Sequence, residues 1–273
     1  MGRAAFFFCF VVVLALFCGC SEEARPPQDK PVATQSPAVI EVHLAGDPVI
    51  SDPTDPKARN VFVAGSAKTW AEFSDYMKEQ AAIAPIDCPT KDEDPRPYVA
   101  TRIILRAGPD SPAMLVQYAL VICVAHRFVN IFSGLIDDPS ELRIISPESV
   151  YAHQESTQAE PNPKRFSMAI VCLGNRRAQG GTLWAVGSKR ATTIEEAKDL
   201  LNLATTKAGA DREIHVVVEP RDDIRFGPVF SAMRIAYDLG LARVMLAPPM
   251  NDMKHWPEAV RIAGESMMRS KNQ

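Results

Sequence analysis

The sequence predicts an α+β fold: two tandem modules, each running β-β-α-β-α-β and each a small mixed sheet with two helices on one face. Three observations lead there. Thr69-Trp70-Ala71-Glu72 and Thr193-Ile194-Glu195-Glu196 both read Thr-x-x-Glu ahead of an apolar period. In that pattern the Thr hydroxyl accepts from the third helical amide and the Glu reaches back to the cap amide. A second stretch repeats without gaps: Ile103-Ile104-Leu105-Arg106 aligns with Val216-Val217-Val218-Glu219, Asp110 with Asp223, Val116 with Val229, Leu120 with Met233, Cys123 with Ala236 and Ile131 with Val244. Each copy also opens on an apolar strand, at 39–44 and 168–173. A match at a fixed offset is the mark of a duplicated structural unit.

Residues 1–19 come first and read as a lipoprotein signal peptide. Arg3 supplies a positive start, residues 4–17 are apolar throughout, and Phe17-Cys18-Gly19-Cys20 follows. A run of about 14 residues spans only ~21 Å as a helix, short of a ~30 Å hydrocarbon core, which is the length of a signal-peptide core. Cys20 is placed to take a lipid on its sulfur; secretion without lipid, or a retained short anchor, are the competing readings. Residues 20–38 are polar, with Pro26, Pro27, Pro31 and Pro37 and no apolar period. Such a stretch buries too little to fold and serves as a tether.

The first module is expected over 39–136. Its opening strand alternates, with Glu41 and His43 on one face, and Val61-Phe62-Val63-Ala64 leads through Gly65-Ser66 to the Thr69-capped helix. The loop 84–98, rich in Pro, Asp and Lys, is an insertion, and the stretch 113–125 is apolar except for Gln117. That stretch is too short to cross a membrane. It reads either as a helix buried between the sheet and the second module or as a partner-binding surface.

Residues 137–164 form a polar linker, with a short strand expected near Leu142. The second module covers 165–250, where Gly187-Ser188 matches the earlier turn, Gly227-Pro228 starts a helix with Pro at its first position, and Gly240 ends it. The chain closes at 251–273 with a helix whose Val260, Ile262, Ala263 and Met267 face the second module.

Composition excludes several functions. Of 273 residues 47% are apolar and 23% charged, with a formal net charge of -3, so no positive field exists to hold nucleic acid. There is no Gly-x-Ser-x-Gly elbow, Walker loop or His-Glu-x-x-His. The five histidines, His43, His126, His153, His215 and His255, share no metal-ligand spacing. The expectation is therefore a chain that is not an enzyme, with no catalytic residue, no metal and no cofactor. Cys123 and Cys172 lie in apolar stretches and read as buried thiols; Cys88 sits in a loop, free or paired with one of them. The densest charge cluster is Arg221-Asp222-Asp223-Ile224-Arg225, beside a strand end. Asp222, Asp223 and Arg225, with Asp110 of the other copy, are the candidate binding residues, against the alternative of a solvated turn.

Val217-Val218-Glu219-Pro220-Arg221-Asp222-Asp223-Ile224-Arg225-Phe226-Gly227 resembles the strand-turn-helix signature of the periplasmic domain in the ExbD/TolR biopolymer-transport family, roughly Val-Ile-Arg-Ala-Asp-x-Asp-Val-Pro-Tyr-Gly. The first copy keeps Arg106-Ala107 and Asp110 but shows Ala113-Met114 in place of Tyr-Gly. The resemblance spans most of 39–134 and 166–247. It implies a periplasmic module that dimerises and contacts envelope proteins or peptidoglycan, so a tandem pair implies either an internal pseudo-dimer or a homodimer. Family members also carry a transmembrane helix with an Asp for proton coupling, whereas residues 4–17 have no acidic residue. The resulting expectation is a lipid-anchored adaptor on the periplasmic side of a cell-envelope membrane. The alternative is an accessory subunit of a biopolymer transport complex.

Overall fold

The structure is a computed structural model that describes residues 39–44, 55, 57–84, 86–87, 98–99, 101–144, 166–175, 182–208, 213–221, 224–241, 243–249 and 251–270. Cys20, the tether, Cys88, Asp222 and Asp223 lie outside them, as does the Cys172 side chain. The first module holds strands β1 (Val39–Leu44), β2 (Val61–Val63) and β3 (Ser66–Lys68), then helix α1 (Trp70–Ile83). The short pair β4 (Ile86–Asp87) and β5 (Tyr98–Val99) brackets the inserted loop. Next come β6 (Arg102–Ala107), α2 (Ala113–Ala125), β7 (Ile131–Leu135) and β8 (Leu142–Ile144). The second holds β9 (Phe166–Asn175), β10 (Thr182–Val186), β11 (Lys189–Ala191), α3 (Ile194–Ala208), β12 (Glu213–Pro220), α4 (Phe226–Asp238) and β13 (Arg243–Leu246), and α5 (Glu258–Ser270) closes the chain.

The two sheets have one topology. The first is ordered β3-β2-β1-β6-β7-β8 and the second β11-β10-β9-β12-β13. In each, an antiparallel hairpin and its neighbour lead to a parallel trio, β1-β6-β7 or β9-β12-β13. The fold is α+β with two similar modules, as the repeat predicts. In each module the turn near the Gly-Ser segment is a hairpin and not a helix leader, which adds one strand, β3 or β11, to the expected path; the first module gains the short pair β4-β5 and the edge strand β8 as well. The register there also differs from the sequence match by one residue. The first turn is Ala64-Gly65, with φ of 51° and 75°, and the second is Gly187-Ser188, with φ of 57° at Gly187. Left-handed φ at both positions or only at the first defines two different tight turns, both suited to strand twist.

Helix ends follow the sequence closely. The Thr69 hydroxyl accepts from the Glu72 amide at 3.2 Å, and the Glu72 carboxylate accepts from the Thr69 amide at 2.8 Å. In the second copy Thr193 caps the Glu196 amide, while Glu196 accepts from the amide and hydroxyl of Thr192. Gly240, φ 76°, terminates α4 by donating to Tyr237, and Leu241 donates to Ala236, the paired C-terminal bonds of a left-handed cap. Arg127, φ 70°, makes the equivalent closure on α2. Pro228 falls at the third position of α4, not the first; its missing N–H is still among the four that a helix start leaves unbonded.

Both helices of each module cover one sheet face, and the two modules share one core. The aligned pairs Val116 and Val229, Leu120 and Met233, Cys123 and Ala236, and Ile131 and Val244 are all buried in it. Trp70, Phe73 and Met77 anchor α1 there, each burial contributing about 1.5–3 kcal/mol. α2 is buried nearly all round because β6 lies on one side and α1, α4 and α5 on the others. The last of these corrects the sequence reading: α5 packs on α2 and α1 of the first module, not on the second. Val260 and Ala263 are buried and Met267 packs on the core, but Ile262 is 54% exposed. Trp256 leads in, its ring 6.1 Å from that of Tyr118, which lies 5.6 Å from Trp70. The stretch after β7 is likewise more than linker. β8 extends the first sheet and touches α4, where the Tyr237 hydroxyl donates to the Arg143 carbonyl.

Candidate functional site

The strand-turn-helix segments of the two modules meet. β6 ends at Ala107 and β12 at Pro220, and each turn feeds directly into the next helix. The Ala113 amide donates to the Ile224 carbonyl at 2.9 Å, and the Phe226 amide donates to the Ser111 carbonyl at 2.8 Å. Pro112 and Arg225 form an antiparallel bridge between these bonds, and the Gly227 amide donates to Pro109 O at 2.8 Å. Amides at helix starts lack partners inside their own helix. Here each helix takes them from the other module's turn.

Two of the predicted binding residues come together across this joint. The Arg225 guanidinium pairs with the Asp110 carboxylate, both side chains largely exposed at 64% and 73%. An ion pair so open to water contributes at most about 1 kcal/mol, so its interest lies in position. It places one charge from each module side by side on the surface. Arg221 donates its amide to Leu173 O, and Ile224 donates to Arg221 O, which fixes both ends of the turn.

A second polar cluster was not singled out from the sequence. On the helix-free face of the first sheet, Arg106 donates Nε to Glu41, Nη2 to Glu141 at 2.8 Å, and Nη1 to the carbonyls of Leu135 and Asp138 at 3.2 and 3.0 Å. Its side chain is only 12% exposed. Arg102 also pairs with Glu141 and lies 4.2 Å from the Phe132 ring centroid. Gly134 makes room, since a Cβ there would sit 2.8 Å from Arg106 Nη1. The cluster reaches the module joint through Asp138, which pairs with Arg234 of α4 at 3.3 Å and is held below the usual carboxylate range by hydrogen bonds from Ser140, then by Arg234 and Arg106. Alternation in β1 shows Glu41 and His43 on one face. Glu141 had no such signal, because it follows a turn in a polar stretch.

His126 ends α2, its Nε2 3.1 Å from the Ser74 hydroxyl of α1. Burial, aided by Lys78 and opposed by Asp75, pushes this imidazole below its ordinary range. The Cys123 thiol is buried and its pKa is raised by desolvation. Among the described residues no group of three or more His, Cys, Asp or Glu side chains is gathered as a metal site requires, and no helix is long and apolar enough to cross a membrane. Comparison with protein-family models, with curated proteins and with solved structures found no match.

Proposed function

We propose that this chain is a non-enzymatic envelope adaptor of ExbD/TolR-like modules, held to a membrane through a lipid on Cys20 and binding a protein or peptidoglycan on the periplasmic side. The observation that carries the binding half is the joint. Its backbone groups bond to each other, while Asp110 and Arg225 stay largely exposed from opposite modules. A surface drawn from both modules exists only while they are paired, and so it suits a partner read by two copies at once. The Asp222 and Asp223 carboxylates neighbour it in sequence.

The two halves of this reading are tested separately. A photo-crosslinking residue at Asp110, used in cells, should capture one envelope protein or glycan strand, and Asp222→Ala with Arg225→Ala should abolish the capture. Undiminished capture by that double variant removes the site. For the anchor, Cys20→Ala should release the chain from membranes, and a membrane-bound variant contradicts lipidation.

A further inference from the structure

The stops of α2 and α4 are one closure made twice. Under the offset that pairs Val116 with Val229, His126 meets Leu239 and Arg127 meets Gly240. His126, Arg127 and Phe128 donate their amides to the carbonyls of Ile122, Val124 and Cys123 at 3.1, 2.8 and 3.0 Å. Leu239, Gly240 and Leu241 donate to those of Ile235, Tyr237 and Ala236 at 3.1, 2.8 and 3.0 Å. The middle residue is left-handed in both, with φ of 70° at Arg127 and 76° at Gly240.

The residues that make this closure differ in kind. Glycine takes left-handed backbone freely, whereas a Cβ is crowded there. The α2 stop therefore carries strain that the α4 stop does not, and such strain persists only while the surroundings hold it. Where α4 has Leu239, α2 has a half-buried imidazole whose Nε2 lies 3.1 Å from Ser74 Oγ. Burial and then Lys78 oppose a charge on this ring, and Asp75 favours one. Both charged groups belong to α1, and Arg127 is next in the chain.

The α2 stop also holds a second element. The Arg127 carbonyl accepts from the Val99 amide at 3.0 Å, and Val99 forms a bridge with Phe128. Val99 pairs in turn with Ile86, so β4 and β5, a two-stranded sheet of their own, are fastened to the chain at this stop. Among the described residues the second module has no such pair. We infer that the α2 stop is an acid-sensitive latch: a proton on His126 opens the last turn of α2 and releases β4 and β5 from Arg127 and Phe128, while the α4 stop stays closed. Below about 6.5, the ordinary imidazole value, an opened stop takes up a proton that the closed one resists, so falling pH favours opening. The latch needs the fold alone, and neither the adaptor reading nor a partner.

Amide hydrogen exchange in the full chain tests it, with protection at Val99 and Phe128 read against Leu241 of the other stop from about pH 7.5 to about pH 5, where a histidine titrates. Leu241 also reports that each variant is folded. On acidification, protection at Val99 and Phe128 should fall several-fold relative to Leu241, and His126→Gln should abolish that difference. Arg127→Gly should raise protection at both amides by about fivefold at every pH while the pH difference is kept. Equal pH responses at the two stops, or a difference that survives in His126→Gln, overturn the inference.

Discussion

The Gly227 amide donates to the Pro109 carbonyl across 2.8 Å, tying the first turn of α4 to the turn of the other module. The approach is close enough that a methyl group has no free space. Gly227→Ala puts a Cβ 3.0 Å from that oxygen and should destabilise the chain by about 1–2 kcal/mol through forced movement of packed backbone. Urea unfolding measures it; an unchanged midpoint means that the joint adjusts freely.

Gly240→Ala isolates a different effect. No atom lies within 4 Å of a Cβ there, but φ is 76°. The expected cost is about 1 kcal/mol, from left-handed backbone alone. The unfolding slope should not change.

Arg106→Met removes four hydrogen bonds and leaves Glu41 and Glu141 without their shared cation. With Glu141 only 20% exposed, the loss should be about 2–4 kcal/mol. Hydrogen exchange at 135–144 should quicken more than at β1. Equal quickening in both places contradicts the role of Arg106 in holding that segment.

His126 gives a pH dependence with a definite sign. Its folded pKa is depressed by burial, so below about 6.5, the value in an unfolded chain, the unfolded state takes up a proton that the folded state resists. Stability then falls as pH drops from 6.5 toward the folded pKa, and it is unaffected by this group above 6.5. His126→Gln should flatten that part of a Tm-against-pH curve. A wild-type curve that rises on acidification through this range contradicts the assignment.

Gln117 is the polar interruption in α2, and its Nε2 donates to Ala247 O at 2.7 Å in a buried setting. Gln117→Leu leaves that carbonyl without this donor and should cost about 1–3 kcal/mol despite the gain in apolar surface. Equal or greater stability in a thermal melt removes Gln117 from the inter-module contacts that matter.

Elements made by local rules were legible in the sequence. The capping box at Thr69, the left-handed stop at Gly240 and the alternation of β1 each depend on residues within a few positions, and the aligned core pairs follow from the repeat. What sequence could not reach was set by distant partners. The extra strands depend on turn geometry at Ala64-Gly65 and Gly187-Ser188. The placement of α5 depends on which apolar surface is free, and α2 of the first module offered more than α4, whose neighbour β8 already lies beside it. Of the candidate site, sequence named both Asp110 and Arg225 but not that they meet. It missed Glu141 because that residue's role comes from the fold of a polar connection.

Hydrogen exchange at two single amides tests the pairing of the modules most directly. If the joint forms as described, the amides of Ala113 and Phe226 exchange slowly, at similar rates, and Gly227→Ala speeds both together. Fast exchange at these two positions while β6 and β12 stay protected would mean that the modules fold but do not pair.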